Sequence, residues 1–284
     1  MKIVELAPNA PLSLQNDGAL EVFFLGVGSL FSTRHFQTNF LLIKGNDHVL
    51  IDFGNTGPTA LRSTTRLEPS AIEVVLPSHS HDDHIGGLGH LALYNRYVGI
   101  PFEQRPQLRL VATEEYATIL WERSLRGNLE WNEVSPEGRP LTLADFFDIH
   151  HPQHHVGARD RWTIDIGSIH LELFRTLHIP QQAASIAEAF PTYGVCVDDR
   201  AFFSCDTRFD PELLELYEGR GIEWYFHDVQ FFPGAVHAPL EDLRTLPESI
   251  RRKMLLTHYA DTWQEHDVSD FAGWANQGLR YCFE

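Results

Sequence analysis

The segment His79-Ser80-His81-Asp82-Asp83-His84 follows an apolar run, Ile72–Leu76, that predicts a buried strand, and precedes Ile85–Tyr97, whose apolar spacing predicts a helix. Three histidines and two aspartates therefore lie together at a strand-to-helix turn. The first two histidines leave the same face of an extended segment, because side chains two residues apart share a face of a strand. The turn lets the last aspartate and the last histidine point to a second position. These nitrogen and oxygen donors suit two metal ions lying side by side.

Three predicted strands elsewhere in the chain each end in one side chain that can bind a metal. A pair of metal ions needs more ligands than a single turn supplies, and we expect them at strand ends as well. An aspartate at such a position can bridge two cations, so the sequence predicts a dinuclear metal site. The three residues are His178 after Ile169–Arg175, Asp206 after Ala201–Ser204, and His258 after Met254–Thr257.

The order of the predicted elements indicates the fold class and a single domain. Strands dominate the first part of the chain, including a hairpin of Phe40–Ile43 with His48–Phe53, and strands then alternate with helices such as Leu240–Arg251. This order predicts an α/β fold with two sheets sandwiched between helices, a four-layer αββα sandwich. No repeat or linker divides residues 1–284, and the irregular segment 126–161 is predicted to be an insertion or a lid.

Composition restricts the partners. The net charge is −17, which repels nucleic-acid backbones and anionic membranes, and no apolar run approaches the roughly 18 residues of a membrane span. Long polyanions and membranes are therefore poor partners, whereas a small anion could be held by bound metal. The 16 histidines also raise the question of metal. Three cysteines are too few for a disulfide framework and the first residues lack a secretion signal, so we expect a cytoplasmic protein.

The pattern His79-x-His81-x-Asp83-His84, followed by His178, Asp206 and His258, resembles that of a known group, the metallo-β-lactamase fold superfamily. The resemblance is closer to the ribonuclease Z and phosphodiesterase-like branch. Three further motifs carry it: Leu25-Gly26-Val27-Gly28-Ser29 resembles the opening glycine loop, Asp52-Phe53-Gly54 the Asp-x-Gly strand end, and His227-Asp228-Val229-Gln230 the His-Glu-Ala-Thr motif.

The resemblance implies how the ligands divide between two divalent metal ions. Zinc is the expected metal, although manganese or iron would suit the same donors. One ion would be held by His79, His81 and His178, the other by Asp83, His84 and His258, with Asp206 bridging them.

The implied chemistry is hydrolysis. Two cations lower the pKa of a shared water, and the bridging hydroxide, which Asp83 could orient, would attack phosphorus or a carbonyl carbon. His237 lies where the branch has a further histidine, and with Asp228 behind it fits a general acid that protonates a leaving alkoxide. We therefore expect a phosphodiesterase acting on a small phosphodiester, such as a cyclic nucleotide or cyclic phosphate.

Two departures from the branch argue against tRNA 3′ processing. The interval from His178 to Asp206 is too short for the protruding arm of those enzymes, and Tyr259-Ala260-Asp261 replaces their Ser-x-Arg-Tyr continuation. A hydrolase of carboxyl esters, lactones or thioesters stays open, as do a nuclease, a di-iron redox protein and a metal-binding sensor without turnover. The branch also implies a homodimer.

Several other residues have simpler interpretations. The histidine-rich segment His150–His155 is expected to be an exposed or lid loop rather than a third metal site. Arg34, His35 and Arg208 could meet an anionic substrate, although surface salt bridges are favoured for them. The hydroxyls of Tyr193 and Tyr259 could donate hydrogen bonds to a substrate oxygen.

Overall fold

The computed structural model describes residues 1–7 and 9–284, which form two compact units. The first unit comprises Met1–Leu25, Asn39–Pro152 and Gly278–Glu284, and the second comprises Gly26–Thr38 and Gln153–Gln277. The described part of each unit contains one eight-stranded sheet.

The strands of both sheets are numbered in chain order. They are β1 (Lys2–Glu5), β2 (Glu21–Gly26), β3 (Asn39–Lys44), β4 (Asp47–Ile51), β5 (Val74–Leu76), β6 (Leu108–Val111), β7 (Phe147–His150), β8 (Gln153–His155), β9 (Arg161–Ile166), β10 (Ile169–Arg175), β11 (Tyr193–Val197), β12 (Ala201–Phe203), β13 (Trp224–Asp228), β14 (Met254–Thr257), β15 (Gly273–Trp274) and β16 (Leu279–Cys282).

The α-helices are short, and several continue directly into a π-helical turn. They are α1 (Gly57–Ala60), α2 (Asp82–Ile85), α3 (Leu88–Tyr94), α4 (Ile100–Glu103), α5 (Glu114–Leu120), α6 (Arg126–Leu129), α7 (Leu143–Phe146), α8 (Pro211–Glu218), α9 (Leu240–Leu243) and α10 (Glu248–Arg251). The π-helical turns are Leu61–Thr65, Asn95–Gly99 and Trp121–Leu125, and the 3₁₀ turns are Pro69–Ala71 and Trp263–Glu265. None of the helices in the described ranges has the length and hydrophobicity needed to cross a membrane.

The sheet of the first unit has the order β1-β16-β2-β3-β4-β5-β6-β7. The predicted hairpin is present as β3 and β4, with Phe40 opposite Ile51, and its turn contains Gly45 at a φ of 61°, which glycine adopts without strain. Strands β4, β5, β6 and β7 are parallel. The C-terminal ends of β4 and β5 therefore lie at the same edge, where Asp52 follows β4 and Ser78 comes shortly after β5.

The sheet of the second unit has the order β15-β14-β13-β12-β11-β10-β9-β8. Strands β12, β13 and β14 are parallel. Strand β11 is antiparallel to both β10 and β12, so β10 runs in the same direction as β12. These strands thus end at the same edge of the sheet, and the residues at or just after the ends of four of them are His178 (β10), Asp206 (β12), Asp228 (β13) and His258 (β14).

The helix expected over Leu240–Arg251 is instead two short helices, α9 and α10. The break lies before Pro247, because proline supplies no backbone N–H and disfavours helical geometry in the residue before it. Segment 126–161 contains α6, α7, β7 and β8, more regular structure than its composition indicates. The lid and the single domain remain predictions.

Gly194 in β11 provides a test of the packing in the second sheet. A Cβ atom at this position would lie well inside van der Waals contact with the Phe174 ring and 2.8 Å from the carbonyl oxygen of Phe203. We expect Gly194→Ala to lower the free energy of unfolding by about 1–3 kcal/mol, the usual cost of overpacking. Urea unfolding measures it. Gly127→Ala is the control, because α6 leaves open space there and alanine favours a helix by about 0.5–1 kcal/mol. Equal unfolding midpoints for the two variants would contradict this packing.

Candidate metal centre

In the first unit the strand-to-helix turn brings His79 and His81 together. The Nε2 atom of His79 lies 3.0 Å from Nδ1 of His81, and His79 is fully buried. His81 has extended backbone angles and immediately precedes α2. The predicted change from strand to helix therefore occurs inside the histidine segment, and it points two imidazole nitrogens at one position.

The next two donors, Asp83 and His84, lie in α2. Oδ2 of Asp83 is 3.5 Å from Nε2 of His84, and each side chain is only 2% exposed. The carboxylate and the imidazole thus form a second pair of donors within the same turn.

Asp52 fixes the orientation of this turn. Its Oδ2 lies 2.7 Å from Nδ1 of His84 and accepts a hydrogen bond of 2.8 Å from the Ser78 hydroxyl, while its Oδ1 accepts one of 2.6 Å from the Ser78 amide. The same hydroxyl lies 3.1 Å from Nδ1 of His79. Because both histidines use Nδ1 toward these groups, Nε2 is the ring atom that would bind a metal. Buried carboxylates behind metal-binding histidines have this role in many metal sites.

In the second unit Asp206 lies between His178 and His258. Its Oδ2 is 3.6 Å from Nε2 of His178 and 3.6 Å from Nε2 of His258, and all three side chains are at most 3% exposed. Two donors each about 2.1 Å from one zinc ion at a tetrahedral angle lie about 3.4 Å apart. These separations, and that of Asp83 from His84, fit donors that share a cation better than they fit hydrogen bonds.

Backbone contacts hold the second set of donors in place. Nδ1 of His178 lies 2.8 Å from the carbonyl oxygen of Val236, and the Thr176 hydroxyl donates to the backbone oxygen of Asp206 at 2.9 Å. His258 has a φ of 56°, in the left-handed region that histidine adopts more readily than most residues. Because Nδ1 of His178 contacts a carbonyl oxygen, Nε2 is again the ring atom that would bind a metal.

Asp228 and His237 form a pair beside Asp206. Nδ1 of His237 is 3.0 Å from Oδ2 of Asp228 and 3.7 Å from Oδ2 of Asp206. Burial raises the pKa of Asp228, but hydrogen bonds from His227 and His237 outweigh it and hold the pKa below its ordinary value. The His237 side chain is 22% exposed, whereas that of Asp228 is 1% exposed. A buried anion thus orients an imidazole that solvent can reach.

Two other candidate residues, Tyr259 and Arg208, donate hydrogen bonds to backbone carbonyl oxygens. The Tyr259 hydroxyl donates to the carbonyl oxygen of Ala275 at 2.8 Å. Arg208 donates to the carbonyl oxygens of Gln181 (3.1 Å) and Ala183, so its guanidinium anchors a loop of its own unit.

The histidines of the His150–His155 segment have separate partners. In each of these four histidines, one ring nitrogen contacts a neighbour of its own. The contacts are His150 with Asp148 (2.8 Å), His151 with the carbonyl oxygen of Ala112 (2.8 Å), His154 with Asp160 (3.3 Å) and His155 with Thr163 (2.7 Å).

Ser78 is a residue that the sequence analysis does not single out. Its only sequence signal is its position directly before His79, and a serine in a turn is too common to be diagnostic.

A family model described as anti-Pycsar protein Apyc1 matches residues 20–281. The chain belongs to this family. It is 35% identical over 257 residues to the Apyc1 of Paenibacillus sp. (strain J14), covering 90% of this chain and 93% of that protein. It is 31% identical over 247 residues to the Apyc1 of Bacillus phage BSP38, covering 86% and 91%.

Solved structures show the fold. The metallo-β-lactamase fold protein YhfI from Bacillus subtilis superimposes with a TM-score of 0.66 at 14% identity, covering 93% of this chain and all of that one. A diphosphatase of the PhnP family gives 0.63 at 16% identity, covering 93% and 98%, and the short form of human tRNase Z gives 0.59 at 15%, covering 90% and 96%. These matches confirm the predicted α/β fold class and the resemblance to the metallo-β-lactamase fold.

Family membership and the clusters of buried histidines and aspartates together support a metal-dependent hydrolase. The donors are of the kinds that bind divalent metals in proteins.

The role of Asp52 can be tested by a change that keeps its shape. Asp52→Asn should weaken zinc binding by about 10- to 100-fold, the usual effect of removing a partner that orients a metal-binding histidine. Competition with a chromophoric chelator measures the affinity. Asp82→Asn is the matched control, since Asp82 lies in the same turn, is exposed and contacts Asn55. Unchanged affinity in Asp52→Asn, or an equal loss in both variants, would contradict this role.

Proposed function

We propose that the chain hydrolyses a small phosphodiester, such as a cyclic nucleotide or cyclic phosphate, at a centre of two divalent metal ions. The observation that carries the proposal is the contact between the buried Asp228 carboxylate and Nδ1 of the more exposed His237, beside Asp206. A phosphodiester needs an acid for its leaving alkoxide more than a lactone or thioester does, and this pair is suited to provide one.

We propose seven ligands for these two ions. The support is that each unit holds imidazole and carboxylate donors in fixed orientations at separations suited to shared cations. Zinc is the first choice, and manganese or iron also suits these donors. Bound there, the ions would supply an acidified water for attack and positive charge for the oxygen that becomes negative. The proposed ligands are His79, His81, Asp83, His84, His178, Asp206 and His258.

The remaining chemistry belongs to protein side chains. Asp228 accepts from Nδ1 of His237, which leaves Nε2 as the ring atom that gives a proton to the leaving oxygen. The negative charge of Asp228 stabilises the protonated ring before the transfer, as a carboxylate behind a catalytic histidine does. Asp83 would in addition orient the attacking water.

The setting of the reaction also follows from composition. The net charge of −17 disfavours long polyanions, so we propose a small anionic substrate. All three cysteines are free thiols, which suits the reducing cytoplasm that we propose as the location. A homodimer is proposed on the branch resemblance, and light scattering tests it.

Metal content tests the proposed ligands. We expect about two equivalents of zinc per reconstituted chain, as in two-metal hydrolytic sites, and loss of hydrolysis after chelation. His79→Ala and His258→Ala, one from each unit, should each bind less metal, as measured by elemental analysis. His170→Ala is the control, because His170 is exposed and paired with Asp165. No more than traces of metal in the wild-type protein would contradict the proposal.

The acid role of His237 predicts a dependence on the leaving group. His237→Ala should reduce turnover of an unactivated alkyl phosphodiester by about 10²- to 10⁴-fold, the range of general acid catalysis. Turnover of bis(4-nitrophenyl) phosphate should change far less, because nitrophenolate leaves without a proton. His170→Ala again serves as the control. Full turnover of the alkyl substrate in His237→Ala would disprove the assignment.

The same preparation should be assayed against lactones, thioesters and carboxyl esters. Hydrolysis of these without hydrolysis of phosphodiesters would replace the proposed substrate class and leave the metal site unaffected. No turnover on either panel with metal bound would favour a sensor.

A further inference from the structure

Gln230 occupies the interior of the loop that carries His237. This loop, residues 231–238, connects β13 to α9. The Gln230 side chain is 5% exposed, and its amide nitrogen donates to the carbonyl oxygens of Phe232, at 2.8 Å, and of Gly234. Its amide oxygen accepts from the backbone N–H of His237 at 3.3 Å. One side chain therefore joins the start, the middle and the end of the loop.

The backbone of Gln230 closes the base of the same loop. Its N–H donates to the carbonyl oxygen of Ala238 at 2.8 Å, and its carbonyl oxygen accepts from Leu240 at 2.9 Å. Within the loop, Gly234 and Ala235 both have positive φ values, 79° and 62°. Alanine adopts this region at a cost, so the conformation depends on contacts that hold it.

Two residues of the 231–238 loop contact the proposed reaction centre. His237 places Nδ1 on Asp228, and the carbonyl oxygen of Val236 lies 2.8 Å from Nδ1 of His178. Of these two residues, His237 is the one whose backbone N–H bonds to the Gln230 side chain. Loss of that side chain would therefore chiefly move the proposed acid.

We infer that Gln230 is a positioning residue that holds the 231–238 loop in the conformation that presents His237 to the leaving group. The inference rests on the proposed function, because it concerns the acid of that reaction. The side-chain hydrogen bonds of Gln230 run to Phe232, Gly234 and His237, which all lie within the 231–238 loop. The Gln230 amide takes the place of water as the hydrogen-bond partner of two carbonyl oxygens and one N–H of the loop backbone. The loop therefore keeps one conformation when a substrate enters.

The test replaces the amide without changing the length of the side chain. Gln230→Met removes all three side-chain hydrogen bonds and fills similar space. We expect its turnover of an alkyl phosphodiester to fall by about 10- to 100-fold, the scale of a misplaced catalytic group, with a small change for bis(4-nitrophenyl) phosphate. Gln37→Met is the matched control, because Gln37 is also 5% exposed and lies in the same unit.

A second readout does not depend on activity. Hydrogen exchange of the metal-loaded enzyme should show faster exchange of the His237 amide in Gln230→Met than in the wild type, because that N–H loses its acceptor. The double variant that combines Gln230→Met with His237→Ala should turn over the alkyl substrate as fast as His237→Ala alone. Both changes act through the His237 imidazole, so their effects should not add.

The outcomes separate this inference from the proposed function. If His237→Ala slows both substrates equally, the acid role is wrong and the proposed function fails. If His237→Ala is selective for the alkyl substrate but Gln230→Met is not, or if the His237 amide keeps its protection, the positioning role of Gln230 is overturned alone. A Gln230→Met protein that unfolds at a lower temperature and loses both activities in proportion would also overturn it.

Discussion

Carboxylates and imidazoles buried at separations of 3.5 and 3.6 Å are the constraint on which the rest of this structure depends. Burying a charged carboxylate is costly unless nearby groups compensate for its charge. Asp206 is 2% exposed, and its Oδ2 lies 3.6 Å from Nε2 of both His178 and His258. A divalent cation between such donors would compensate for the charge, so the binding free energy of the metal would also contribute to folding.

The sheets explain how residues far apart in the chain become neighbours within each unit. In the second unit β10, β12, β13 and β14 run in one direction, so the residues after them meet at one edge. In the first unit β4 and β5 are parallel, which brings Asp52 to the turn that contains His84. Regular hydrogen-bonded strands thus provide the rigidity, and the side chains proposed to be functional lie at or beyond the ends of those strands.

The strands that end in a histidine or an aspartate can be predicted from the sequence, because an apolar run followed by one such residue is a local pattern. The same reasoning could not find the contacts of Ser78 or Gln230. These contacts depend on the path of a loop, and the spacing of apolar residues in the sequence does not indicate whether an amide side chain points into that loop. The break before Pro247 is readable from proline alone, because proline disfavours helical geometry in the residue before it.

The difference in exposure between His237 and the Asp228 carboxylate behind it has a chemical consequence. Groups that bind a metal benefit from full burial, because a low dielectric strengthens their interaction with a cation. A group that gives a proton to a leaving oxygen must instead reach the substrate, which arrives from solvent. His237 meets this second requirement. Its side chain is 22% exposed, and its Nδ1 lies on a carboxylate that is 1% exposed. Burial therefore separates the two members of this pair: the carboxylate that orients the ring is shielded from solvent, and the ring that would give the proton is open to it.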